Sequence, residues 1–169
     1  MFARKHLNDL IKLIFKPDIG IEQIIERLRE LKDEFELADI DDISFGSSCN
    51  KYDKYILNDS NNLEFASGVG VHVRGAGIHN YLIKQSKKYQ NRYELIKEGD
   101  KVKYYYTDES NPDLRSFSYI PGLYPIEFAP SIDYDKQFEK CMINPINRFI
   151  KVIGLPLISP DLYYTSALF

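Results

Sequence analysis

The segment from residue 133 to residue 153 constrains the fold most, because it sets apolar residues at helical spacing around one internal proline. Phe138, Ile146 and Ile150 fall on the same side of such a helix, which is typical of a face packed on a core. Pro145 lacks a backbone N–H, so it either opens the second half of the helix at its first position or kinks it. We therefore expect a long final helix with an irregularity near its middle.

The rest of the chain predicts an α+β fold. Residues 2–15 and 21–35 each carry an apolar stripe at helical spacing, and Pro17 separates them, so they predict an N-terminal helical hairpin. Residues 101–107 and 116–120 alternate as two strands joined by a polar loop, which predicts a small antiparallel β hairpin or sheet. With the C-terminal helix, these elements define the expected architecture.

Composition limits the class of protein. The chain has 169 residues, of which 44% are hydrophobic and 14% aromatic, so one globular domain with its own core is expected. No apolar run approaches the ~20 residues that span a bilayer, and no secretory signal is visible, so a cytoplasmic protein is expected. Cys49 and Cys141 are too few for a disulfide framework and are expected to be ordinary, partly buried thiols.

The charges are unevenly distributed. The formal net charge is −3, yet residues 47–103 contain 10 Lys and Arg against 6 Asp and Glu, a balance of +4. Binding to duplex DNA requires only a local basic patch, so the acidic total does not exclude it. The alternative is that this surplus arises by chance.

No set of residues predicts a catalytic site. The acidic segment from Asp39 to Asp42 follows a helix and has no partner motif, so it is more simply a solvated turn. His72 and His79 are seven residues apart and lack nearby Cys or Glu, and no Gly-rich phosphate loop is present. On its own the chain is not expected to be an enzyme.

Two segments have residue types suited to phosphate contact. In the first, Ser48, Asn50, Lys51 and Lys54 supply hydrogen-bond donors and positive charge within a polar loop that follows a short strand. The alternative is a hydrophilic loop that binds nothing.

In the second segment, residues 71–77, the alternation predicts a strand that places His72 and Arg74 on one face. Gly75 would then allow a close backbone approach, and the turn would open a helix over residues 78–88. The alternative is a structural Arg74 paired with an acid of the N-terminal half.

Five motifs occur in an order that resembles the thumb domain of family B DNA polymerases. They are Ser48-Cys-Asn50 with Tyr55, His72-Val-Arg74-Gly-Ala76, Glu98-Gly-Asp-Lys-Val-Lys-Tyr104, the proline-rich crossing at 121–130, and Asp133-Tyr-Asp-Lys-Gln-Phe-Glu-Lys140. The resemblance covers essentially the whole chain and is greatest to polymerases of T-even-type bacteriophages.

This resemblance implies a thumb domain over residues 1–160 that closes over the minor-groove side of primer–template duplex. Binding through the phosphate backbone would be independent of sequence and sensitive to salt. The implied DNA contacts are Ser48, Asn50, Lys51, Lys54, His72, Arg74 and Gly75, with Lys101 and Lys103 on one strand face as second candidates.

The resemblance also implies partners. The family's D-x-x-S-L-Y-P and D-T-D motifs are missing here, so the catalytic carboxylates and Mg²⁺ would belong to a separate palm-bearing polypeptide, and this chain would need no cofactor. The chain is then either a naturally split subunit or a fragment of a DNA-directed DNA polymerase. In a split polymerase, the first helix is the expected docking surface for the palm.

The C-terminus carries a separate hypothesis. Residues 161–169 resemble the short apolar–aromatic tail with which such polymerases bind a sliding clamp, and Leu168 and Phe169 would be its anchors. The alternative is a tail folded back on its own domain.

A different class of function remains open without the resemblance. The chain could be a soluble α+β protein–protein interaction module, or a phage or bacterial accessory factor, with no DNA affinity. Its partner would bind the tyrosine-rich surface around Tyr104 to Tyr106.

Overall fold

The structure is a computed structural model that describes residues 1–164. It has the predicted α+β composition, and none of the helices in this range combines the length and apolar content needed to cross a lipid bilayer. The elements, in chain order, are α1 (Phe2–Ile14), α2 (Ile21–Glu36), α3 (Ile40–Ile43), β1 (Phe45–Ser48), α4 (Tyr52–Tyr55), β2 (Ile56–Asn58), β3 (Glu64–Phe65), α5 (Val71–Lys84), α6 (Lys87–Gln90), β4 (Lys101–Tyr106), β5 (Ser116–Tyr119), α7 (Tyr134–Phe138) and α8 (Asn144–Val152).

The chain divides into two compact units. The helical unit contains Met1–Ile43 together with the described residues from Tyr134 to residue 164, and the central unit contains Ser44–Asp133. The predicted separation of residues 1–160 from a short tail is a different kind of boundary and stays a prediction.

Aromatic packing joins the helices of the helical unit. Helices α1 and α2 form the predicted hairpin, and Leu10 on α1 and Leu28 on α2 are almost completely buried. The Phe35 ring lies edge-on to Phe2 and to Phe138, with 5.2 Å between centroids in each pair. The apolar stripes read from the sequence therefore face one shared core.

The final helix accommodates Pro145 with a π-helical segment. Residues Glu139–Ile143 adopt π geometry between α7 and α8, and Pro145 lies in the first turn of α8. In a regular helix the proline ring would crowd the carbonyl of Cys141, and that carbonyl would lose its donor. The wider π turn just before the proline lets the helix continue past it. The irregularity expected near the middle of the final helix is therefore this π-helical segment.

The central unit is built on a three-stranded antiparallel sheet in the order β1-β4-β5. Ser48 pairs with Lys101 across β1 and β4, and Lys103 pairs with Tyr119 across β4 and β5. Helix α5 packs on β5, and a second small sheet pairs β2 with β3. The predicted hairpin of β4 and β5 is confirmed, with each strand one residue shorter than expected.

The expected strand over residues 71–77 is wrong, because this segment is the first half of helix α5. The alternation of Val71 and Val73 with polar residues, followed by glycines, is typical of a strand and turn. In the structure the glycines serve helix packing. A β-carbon on Gly75 would lie 2.5 Å from Ser118 Oγ and 2.7 Å from the Ser118 nitrogen, so α5 approaches β5 only because residue 75 has no side chain.

A buried histidine lies on the same helix. His79 is 2% exposed, and its ring lies 5.7 Å from the rings of both Phe117 and Phe128. Its Nε2 is 3.1 Å from the Glu94 carbonyl oxygen, which can only accept, so the neutral ring carries its proton on Nε2. Burial lowers the pKa of His79 to about 4, because the charged ring would be poorly solvated there.

We expect Gly75→Ala to destabilise the protein by about 2 kcal/mol or more, since the added methyl group meets backbone atoms of β5 that cannot move aside. Urea denaturation should show a lower midpoint. Gly46→Ala is the matched control, because nothing lies within 4 Å of its β-carbon position. Equal midpoints for the two variants would contradict the close approach of α5 to β5.

We expect stability to fall as the pH drops from about 6.5, the usual pKa of an unfolded histidine, to about 4, the pKa of folded His79. In this window the histidine is protonated in the unfolded chain and neutral in the folded chain. Across the whole window this lowers the free energy of unfolding by about 3 kcal/mol. Denaturant midpoints measured across this range should fall less steeply for His79→Gln than for the unaltered protein. Parallel profiles would show that His79 is not the group responsible.

Candidate nucleic-acid interface

The polar segment predicted for phosphate contact forms an exposed turn between β1 and α4. Ser48 ends β1, and the side chains of Asn50, Lys51 and Lys54 are exposed. Within residues 1–164, neither Lys51 nor Lys54 forms an ion pair, and the Lys54 ammonium lies 5.0 Å from the centroid of the Tyr55 ring. Both charges therefore remain available to an outside anion.

A carboxylate from a distant loop fixes the backbone of this turn. Glu98 Oε1 accepts from the Lys51 N–H at 2.7 Å, and Oε2 accepts from the Tyr52 N–H at 2.6 Å. Lys51 itself is left-handed, with φ 64° and ψ 34°. The Cys49 N–H also donates to the Asp100 carbonyl at 2.8 Å, and the Cys49 carbonyl accepts from the Gly99 N–H at 2.7 Å, so the loop is bonded to the start of the turn as well. The turn is thus held by the residues that lead into β4.

A buried hydrogen-bond network, centred on Asn80, anchors the turn from below. The Asn80 amide donates to the Tyr52 hydroxyl and to the Ile96 carbonyl, and it accepts from the Ile96 N–H, each at 2.8 Å. The Tyr52 hydroxyl donates in turn to Asp59 Oδ2 at 2.6 Å, and Lys84 donates to Asp59 Oδ1 at 2.6 Å. Every polar group of the network has a partner, as burial requires.

Electrostatics near the network follow from burial and these bonds. Burial opposes ionisation of Asp59, but hydrogen bonds from Lys84 and Tyr52 outweigh it and lower its pKa. Burial and the bond to Asp59 raise the pKa of Tyr52, so its hydroxyl keeps the proton that it donates. Burial, with Glu98 and Asp100 nearby, raises the pKa of Cys49 to about 12, so this free thiol is unreactive at neutral pH.

Strand β4 adds lysines beside the turn. Lys101 Nζ donates to Ser48 Oγ at 2.8 Å, and Lys103, opposite Gly46, lies on the same sheet face as Lys101, as the alternation predicted. Exposed Lys97, in the loop with Glu98, was missed from the sequence, although its place just before the Glu98-to-Tyr104 motif was a usable signal. We call Lys51, Lys54, Lys97, Lys101 and Lys103 the lysine patch.

The net charge around the lysine patch is small. The two segments that carry its five lysines, residues 48–55 and 97–103, also carry three acids, Asp53, Glu98 and Asp100. Asp100 Oδ2 accepts from the Lys97 N–H at 2.7 Å, and the Glu98 carboxylate accepts from the Lys51 N–H in the turn. A modest positive surplus of this kind attracts a polyanion without fixing it in one register.

The second predicted segment is arranged differently from the expectation. Arg74 lies in the first turn of α5, and its Nη1 is 3.1 Å from the Pro112 carbonyl oxygen and 3.6 Å from Asp113 Oδ1. The guanidinium also lies over the Phe65 ring, at 5.5 Å. Arg74 is therefore in the environment expected of a structural arginine, the alternative given above. Its acidic partner, however, is Asp113 in the loop between β4 and β5 and not an acid of the N-terminal half.

His72 and Gly75 lie close to Arg74 but face protein. The half-buried His72 ring lies 5.9 Å from the Tyr104 ring, and burial lowers its pKa. Gly75 is buried against Ser118, whose hydroxyl donates to the His72 carbonyl at 2.7 Å. The proposed contacts of His72, Arg74 and Gly75 with DNA stay predictions, and the structure gives each residue a packing role.

The tyrosine run that the alternative function would use is only partly accessible, and its role as a partner surface stays a prediction. Tyr105 is completely buried, its hydroxyl donates to the Pro130 carbonyl at 2.7 Å, and its ring contacts Phe117. Tyr104 and Tyr106 are half-buried. Alternation along β4 places Tyr105 on the opposite face of the sheet from its two neighbours.

Other predicted features remain outside this geometry. Leu168 and Phe169, the predicted clamp anchors, lie outside the described residues. In the part of the chain that is described, no group of three or more His, Cys, Asp or Glu side chains is placed to hold a metal ion.

Comparison with known proteins places the fold. No family model matches the sequence. No curated protein matches it either. Among the solved structures 37 chains match, including the family B DNA polymerase from the hyperthermophilic archaeon Pyrobaculum calidifontis, with a TM-score of 0.55 and 19% sequence identity.

That match covers 91% of this chain and 18% of the archaeal polymerase. The chain therefore has the fold of a segment of a family B DNA polymerase and spans less than a fifth of that enzyme's length. The likeness to T-even-type bacteriophage polymerases stays a prediction.

We expect Asn80→Ala to cost about 3 kcal/mol, because it leaves the buried N–H and carbonyl groups of Ile96 without partners. Denaturant unfolding would measure the loss. Asn61→Ala removes the same side chain at an exposed position and should change stability by less than about 0.5 kcal/mol. Similar small effects from both substitutions would contradict the anchoring role of Asn80.

Proposed function

We propose that this chain is the duplex-holding thumb of a family B DNA polymerase, and that the lysine patch contacts the phosphate backbone of primer–template DNA. The observation that carries the proposal is the patch itself: β4 pairs with β1, and the loop before β4 is bonded to the turn, so residues 48–54 and 97–103 place five lysines on neighbouring segments. The shared fold with a segment of a family B polymerase supports it.

The chemistry of the patch suits a sliding contact. Lysines and small polar side chains bind phosphates without reading base edges, so the affinity would not depend on sequence. Because the net positive surplus is small, binding would be weak and would fall with salt. A polymerase needs such a contact, since the duplex must advance after each nucleotide is added.

The proposal assigns catalysis to another polypeptide. The palm that carries the catalytic carboxylates would hold Mg²⁺, and this chain would join it as a split subunit or as the C-terminal part of one enzyme. A bacteriophage origin would place the assembly in the host cytoplasm. Leu168 and Phe169 would add a sliding-clamp contact.

We expect the chain to bind a labelled primer–template duplex with a dissociation constant in the range of non-specific complexes, ~10⁻⁴–10⁻⁶ M, because few phosphates are neutralised. Fluorescence anisotropy at several salt concentrations would measure it. Lys51→Ala and Lys101→Ala should each weaken binding about five-fold and reduce the salt slope by about one.

Lys87→Ala is the matched control, since it removes the same charge from an exposed position on α6, outside the patch. It should bind like the unaltered chain. Duplexes of unrelated sequence should bind equally well. No binding at low salt, or equal losses for all three lysines, would contradict a DNA contact at the lysine patch.

A further inference from the structure

We infer that Glu98 is a positioning residue for the DNA contact, and that its carboxylate holds the turn in the conformation that presents Lys51 to a phosphate. The inference rests on the proposed function. It concerns an acidic residue that, by charge alone, would oppose DNA binding.

The geometry of the contact is that of a two-point clamp. The two Glu98 oxygens accept from successive backbone N–H groups, at 2.7 Å from Lys51 and 2.6 Å from Tyr52. Charge-assisted bonds of this length are stronger than those between neutral groups. A matching pair of backbone donors and a bidentate carboxylate fix both the position and the direction of the chain at this point.

The clamp stabilises an unfavourable backbone conformation. Lys51 has φ 64°, a left-handed conformation that is sterically unfavourable for a residue with a β-carbon. Such a conformation persists only where its surroundings impose it. Without Glu98, Lys51 is expected to relax to an ordinary backbone conformation, and its side chain would then leave the turn in a different direction.

The clamp also determines which groups of the turn can meet DNA. The Cys49 N–H donates to the Asp100 carbonyl, and the Asn50 N–H donates to the Ser48 carbonyl. With Lys51 and Tyr52 engaged by Glu98, four successive N–H groups of the turn are occupied within the protein. Phosphate contact at this turn therefore depends on side chains. The Lys51 backbone, which Glu98 fixes, sets the point from which the Lys51 side chain reaches outwards.

Positioning and simple electrostatics predict opposite results. If Glu98 acted only by repelling phosphates, its neutralisation would tighten DNA binding. If it positions Lys51, neutralisation weakens binding, since an amide has only one oxygen to accept from the two N–H groups. The sign of the change separates the two effects.

The test compares duplex binding by the full chain and its Glu98→Gln, Lys51→Ala and double variants across a range of salt concentrations. Glu98→Gln should weaken binding about five-fold and reduce the salt slope by about one, as Lys51→Ala does. The double variant should bind like Lys51→Ala alone, because a misplaced lysine and an absent lysine lose the same contact.

Asp53→Asn is the matched control. Asp53 is exposed on α4, two residues from Lys51, and its carboxylate clamps no backbone group among the described residues. Its neutralisation should leave binding unchanged or slightly tighter. Glu98→Asp keeps the charge but shortens the side chain, so it should weaken binding if position matters and leave it unchanged if only charge matters.

Glu98→Gln binding as tightly as the unaltered chain, or losses that add fully in the double variant, would overturn the inference while leaving the proposed function intact. Failure of the unaltered chain to bind duplex would overturn the proposed function and the inference with it. Denaturation curves would show whether each variant is folded under the binding conditions. The salt slope is a second control, because partial unfolding lowers the amount of active protein without changing the number of phosphates that each molecule contacts.

Discussion

The hydrogen bonds of Asn80 are the interaction on which the central unit depends. One side chain satisfies both backbone groups of Ile96 and the hydroxyl of Tyr52, and so ties helix α5 to the segment before β4 and to the turn that carries Lys51. Because these groups are buried, none could form a hydrogen bond with water in place of the one lost with the amide. The position of an exposed turn is therefore decided in the core beneath it.

A second constraint is the distance between α5 and β5. The absence of a β-carbon at Gly75 lets the helix reach the backbone of the strand, and the Ser116 and Ser118 hydroxyls then bond to the first-turn carbonyls of Val71 and His72. The same glycines and β-branched residues led to the prediction of a strand. Tertiary packing outweighed local propensity here, as it does where a small residue permits close contact.

The site was predictable only in part. Residue types in the segment from Ser48 to Lys54 indicated an exposed polar turn, and strand alternation placed Lys101 and Lys103 on one face. The clamp by Glu98 was not predictable, because its partners lie 46 and 47 residues away along the chain. The partner of Arg74 was likewise misjudged, since the folding of the β4–β5 loop decides which acid reaches it.

The sequence by itself determined the α+β class, the helical hairpin, the two strands of the main hairpin and the irregular final helix, because periodicity and proline chemistry act over a few neighbouring residues. Only the tertiary structure decided that residues 71–77 are helical, that Gly75 is a packing position, and that Glu98 and Asn80 hold the turn of Lys51. These features depend on contacts between segments distant in the chain, and such contacts leave no local pattern in one sequence.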